Sequence, residues 1–118
     1  MRSDNEKVLD AQQWRVEAQS VIDDVKEHVH ELRVCSDLSS SNSSIYLNLT
    51  TLEGCKFCIS LSAEGFGVIG NQHETNDQEP VEYFETVYSL LDHLSPQYRD
   101  SFGKSLMQRL QMLDNVDR

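Results

Sequence analysis

Apolar residues recur at helical spacing at both ends of the chain and alternate one-in-two between them. Ala11, Trp14, Ala18, Val21, Ile22, Val25, Val29 and Leu32 fall within about 100° of arc on a helical projection, with Asp23, Lys26, Glu27 and His30 turned away. Asp10 and Gln13, three apart, form a variant capping box that starts this helix. Residues 1–9 are polar, show no period and read as a flexible tail. Leu32 to Leu38 is either a short strand or an exit turn, and the serine-rich stretch that follows, to Ser44, is a solvated connector.

Ile45, Leu47 and Leu49 then alternate with Tyr46, Asn48 and Thr50, the period of two of a half-buried strand. Glu53 and Gly54 supply a turn, Phe57, Ile59 and Leu61 a second strand, and Ala63 to Gly65 a turn into a third, Phe66 to Gly70. These connections predict an antiparallel meander of three to four strands. Asn71 to Val81 is acidic, turn-forming and aperiodic, and reads as a surface loop.

Helical spacing returns at Phe84, Val87, Tyr88, Leu91 and Leu94, with Leu90 at the margin, which predicts about three turns. Ser95 is placed to cap a further helix, and Pro96 suits its first position, where the missing N–H costs nothing. In that helix Tyr98, Phe102, Leu106, Leu110 and Leu113 form a stripe about 120° wide, opposite Asp100, Lys104, Gln108, Gln111 and Asn115. The stripe can cover the sheet or meet a partner, and periodicity leaves both open. The order is helix, strands, helix, helix, and a meander with one apolar face needs helices to cover it, so the fold class is α+β. We divide the chain into the tail, an α+β domain over 10–94 and a C-terminal helix and tail over 95–118.

With 118 residues the chain has room for one core. Its net charge of -10 argues against nucleic acid or an anionic membrane as partner, since both require clustered Lys and Arg. No apolar run approaches the ~18 residues of a membrane span and no leader precedes the first helix, so we expect an intracellular protein, cytoplasmic with access to the nucleus. A monomer is the simplest state. Cys35, Cys55 and Cys58 are too few for a disulfide scaffold and read as reduced thiols. Cys55 and Cys58 have metal-motif spacing, but there is no second pair, and residues three apart on a strand face opposite ways. His28 and His30 diverge by about 200° on a helix and read as solvated. No phosphate loop, nucleophile elbow or catalytic set is present, so we expect no metal, no cofactor and no enzyme.

The segment ETVYSLLDxLSPxYR over residues 85–99, continued by Phe102, Gly103, Leu106, Gln108, Arg109 and Leu110, resembles the C-terminal signature of the glycogen synthase kinase-3 interacting protein family. Weaker similarity continues through Glu17 and Ala18, Val21 to Val25, Tyr46 to Asn48, Ala63 to Gly65 and Val68 to Gly70. The positions Phe102, Leu106, Arg109, Leu110 and Leu113 are also similar to the kinase-binding helix of axin. The resemblance implies a binding protein that docks onto glycogen synthase kinase-3 through these five residues and restrains or scaffolds it, in the setting of Wnt signalling, and it implies the same α+β plan. Vertebrate members also resemble anchors for the regulatory subunit of protein kinase A. Here Lys26, Glu27 and Arg33 stand where those members carry apolar residues, so we expect no such binding. The domain is also similar to a structural module near the N-terminus of clustered-mitochondria proteins, an alternative that a chain ending at Arg118 disfavours.

Overall fold

The computed structural model describes residues 10–117, with side chains described for residues 10–110. The expected tail over 1–9 and the side chain of Leu113 lie outside them. Helix α1 (Ala11–Val25) opens with the predicted capping box: Asp10 Oδ1 accepts the Gln13 amide at 2.8 Å, and Gln13 Oε1 accepts the Asp10 amide at 2.9 Å. Trp14, Ala18, Val21 and Val25 form its buried stripe.

The helical stripe expected to reach Leu32 stops at Val25. A single 3₁₀ turn (Lys26–His28) follows, Val29 is buried in extended backbone, and Leu32 belongs to strand β1 (Glu31–Val34). The cause is competition for backbone partners: the His30 amide donates to the Thr50 carbonyl at 2.9 Å, so a ladder replaces helical bonds. β-Branched Val29 and Val34 tolerate the change well.

Strands β1, β2 (Ser44–Thr50), β3 (Lys56–Ser62) and β4 (Gly65–Gly70) form one antiparallel sheet in chain order. One face carries Ile45, Leu47, Leu49, Ile59, Leu61 and Phe66 into the main core beneath α1 and helix α2 (Val87–Leu94). α2 is two turns long rather than three. Its N-cap is Thr86, whose Oγ1 accepts the Ser89 amide at 3.1 Å, while Phe84 stays outside and exchanges two 2.8 Å backbone bonds with Phe66. Moving the start to Val87 changes the inward face: Val87, Leu90 and Leu91 are buried, and Tyr88, expected on the stripe, is 41% exposed.

The second sheet face is not bare. Cys35, Cys58 and Ile69 form a small core there, with Leu38 and Tyr46 beside it. A bulge between Cys58 and Ile59 in the β3–β4 pairing accompanies the turn of Ile69 to this side. The segment expected as a plain surface loop comes close against β4: a Cβ on Gly67 would meet the Pro80 ring at 2.7 Å, so only glycine permits the approach.

Glu74 pins that loop. Its backbone is left-handed, φ 57°, and its carboxylate accepts the amides of Ser36 (2.9 Å), Asp37 (2.8 Å) and Leu38 (3.3 Å) and the Asn48 side-chain amide (2.6 Å). These donors, the Ser36 amide first, hold its carboxyl at about 2, below the ordinary 4.5. The folded-state value is the depressed one, so this stabilisation is present above pH 4.5 and is lost as pH falls towards 2. We expect Glu74→Gln to flatten the fall in stability across that window, as read by denaturant unfolding at stepped pH. A variant curve parallel to the wild-type curve would contradict it.

No helix among the described residues is long and apolar enough to cross a membrane. The chain has a radius of gyration of 16.2 Å, against about 13.5 Å for a compact domain of this length. Helix α3 (Pro96–Asp117), roughly 33 Å long at 1.5 Å per residue, accounts for the elongation.

Candidate docking surface

The base of α3 is built into the domain. Ser95 Oγ accepts the Tyr98 amide at 3.1 Å, the predicted cap, and donates to Glu53 Oε1 at 2.8 Å. Glu53 Oε2 accepts the Gln97 amide at 2.7 Å, so the β2–β3 turn supplies a carboxylate to the positive end of the helix. Burial pushes the Glu53 carboxyl up, but the Gln97 amide and then the Ser95 hydroxyl, with smaller local donors, hold it below its ordinary value. Tyr98 is 4% exposed and belongs to the main core.

Beyond Tyr98 the stripe turns outward. Phe102 is 42%, Leu106 48% and Leu110 51% exposed, and Arg109 is also exposed. At about 100° per residue Arg109 falls beside Phe102 on the projection, so one face carries three apolar side chains and a cation. Gly103 has open space where a Cβ would stand. The stripe therefore divides: its first residue covers the core and the next three do not.

His28 is not the solvated residue its helical projection implied. On the 3₁₀ turn it lies half-buried against α3, with Nδ1 2.7 Å from Ser101 Oγ and its ring edge-on to Tyr98 and Phe102, centroids 5.9 and 5.6 Å away. It buttresses the point where the stripe leaves the core. His30 is exposed, as expected.

The profile of the GSKIP domain matches residues 14–113, a span that includes every position of the stripe. The chain belongs to the GSKIP domain family. It is 44% identical over 100 residues to a Danio rerio protein named GSK3-beta interaction protein, covering 84% of this chain and 75% of that one. Identity to the Homo sapiens GSK3B-interacting protein is 39% over 105 residues, covering 88% and 76%. A Drosophila melanogaster protein named Protein GSKIP homolog is 27% identical over 90 residues, covering 74% and 76%.

Two contacts in this GSKIP domain escaped sequence reasoning. Glu53 and Glu74 bond partners more than 30 residues away, and no local pattern marks a carboxylate for such a role. Cys55 and Cys58, sharing a motif spacing, do separate, but not by strand alternation: Cys55 is exposed in the turn before β3, and Cys58 is buried on β3. Cys58 instead meets Cys35, sulfurs 3.7 Å apart, and the Cys35 thiol donates to Asn48 Oδ1 at 3.1 Å. The contact between the two sulfurs pushes Cys35 up and draws Cys58 down. Cys35 extends β1 and Cys58 sits on β3, with β2 between them, and both are free thiols. Among the described residues no group of three or more His, Cys, Asp or Glu is arranged to hold a metal.

Proposed function

We propose that this chain is a non-catalytic binding protein that docks onto glycogen synthase kinase-3 through Phe102, Leu106, Arg109, Leu110 and Leu113 of α3, and restrains or scaffolds the kinase. The observation that carries the reading is the half-exposure of Phe102, Leu106 and Leu110 on a helix whose base is anchored by Ser95, Glu53 and Tyr98. An amphipathic helix anchored at its base in this way presents an i, i+4, i+8 row to an apolar groove. The names of the relatives support the choice of partner. Arg109 reaches a carboxylate on the kinase surface, and competition with axin-like partners for one groove supplies the restraint.

Leu106→Ala tests the reading. We expect it to weaken kinase binding by about 30-fold, equivalent to about 2 kcal/mol at a central anchor, while the unfolding midpoint stays put because the side chain is half-exposed. Wild-type affinity in a titration of the purified chain would contradict the docking role.

Anchoring of the protein kinase A regulatory subunit is outside this function. The apolar stripe of α1 is consumed by the core, and its outward positions include Gln12, Arg15, Glu17, Gln19 and Asp23. Lys26, Glu27 and Arg33 are exposed as well. A titration of the full chain with the regulatory subunit is expected to show no binding at low micromolar concentration, and a saturable isotherm there would overturn this.

A further inference from the structure

The α3 stripe does not end at the helix. Tyr88, on α2, is 41% exposed and packs its ring beside Phe102, centroids 6.3 Å apart, so the apolar surface continues from one helix to the next. Between them lies a groove of about 350 Å³ with Tyr88 and Phe102 as walls and Tyr98 and Gly103 among its lining. Arg99 and Asp92 also line it, and they neutralise each other in a 2.6 Å ion pair. What the groove offers a ligand is therefore apolar and aromatic surface rather than net charge. Tyr88 itself is exposed although its helix has a complete buried face without it, Val87, Leu90 and Leu91, so the core has no use for the ring.

We propose that Tyr88 and the α2–α3 groove form part of the same docking surface and receive an apolar side chain of the kinase that grips the α3 stripe. The inference rests on the docking reading above and deepens it: the interface is composite, running from the free part of α3 onto the body of the domain. An exposed aromatic continuous with a row of exposed apolar residues is the arrangement of an interface anchor, because the rigid ring adds contact area for little lost side-chain freedom. Gly103 lines the groove and has open space where a Cβ would stand, which makes it the position from which a larger side chain can be introduced to fill that space.

The test is a titration of the full chain against the kinase with four variants. Tyr88→Ala is expected to weaken binding about tenfold, and Tyr88→Phe to stay within about twofold of wild type, since the ring and not the hydroxyl makes the contact. Gly103→Leu, which occupies the groove, is expected to weaken binding by a similar factor while helix content by circular dichroism is kept or raised. Wild-type affinity for both Tyr88→Ala and Gly103→Leu, with Leu106→Ala still defective, would overturn the composite surface and leave docking by α3 intact. Wild-type affinity for all three would overturn both. If Tyr88→Ala fails to fold, Gly103→Leu decides alone.

Discussion

Leu110→Pro is expected to abolish capture of glycogen synthase kinase-3 while the sheet remains folded. Proline at 110 removes the amide bond to the Leu106 carbonyl and drives its ring against that turn, a penalty of about 3 kcal/mol or more inside a helix. The helix is broken between the anchors, and Leu106, Leu110 and Leu113 can no longer share one face. The domain should not register the change, because Leu110 is half-exposed and stands roughly three turns beyond Tyr98, a core residue. The check is a pull-down with the kinase beside an unfolding curve of the free chain. Retained capture would refute helical docking, and a collapsed unfolding transition would refute the independence of the sheet.

The second large effect is on stability. Asn48 is fully buried on the second sheet face and its side chain serves three partners: Oδ1 accepts the Cys35 thiol at 3.1 Å and the Glu74 amide at 2.8 Å, and Nδ2 donates to the Glu74 carboxylate at 2.6 Å. Asn48→Ala leaves the Glu74 amide without its acceptor and removes one donor from a charged carboxylate. Bonds of this kind are worth about 1 to 3 kcal/mol each and are not additive, so we expect a loss of about 3 kcal/mol by denaturant unfolding. That is a large fraction of the 5–15 kcal/mol typical of such domains. A loss under about 1 kcal/mol would mean that Asn48 is replaceable and that the loop is held by other contacts.

The two predictions fall on opposite sides of what sequence can reveal. The alternation of Ile45, Leu47 and Leu49 and the punctuation at Ser95 and Pro96 are local patterns, and the structure has strand and helix cap where they lie. Boundaries drifted where a helical period continued by coincidence into another element: Val29 and Leu32 extend the stripe of α1 on paper but sit beyond its end, and Phe84 pulled the expected start of α2 forward by a turn, which misplaced Tyr88 and Leu90. The pins were invisible. Glu74 reaches Ser36, Asp37, Leu38 and Asn48, and Glu53 reaches Ser95 and Gln97, only because the folded sheet and turns bring them together. His28 changed character for the same reason: a 3₁₀ turn re-aimed it from solvent to Ser101 and Phe102. At the candidate site the stripe itself was legible, but its division was not. Burial of Tyr98 and exposure of Phe102, Leu106 and Leu110 depend on where α3 crosses α2, which no period of 3.6 encodes.

That division is the central claim, and amide hydrogen exchange across Phe102 to Leu110, with and without the kinase, tests it most directly. In the free chain these amides should exchange much faster than those of β2 and β3, because few buried contacts hold the helix beyond its base. Addition of the kinase should slow them by an order of magnitude or more, while the sheet amides stay as they were. Strong protection already present in the free chain and unchanged by the kinase would contradict the account, and would make α3 a structural helix rather than a docking one.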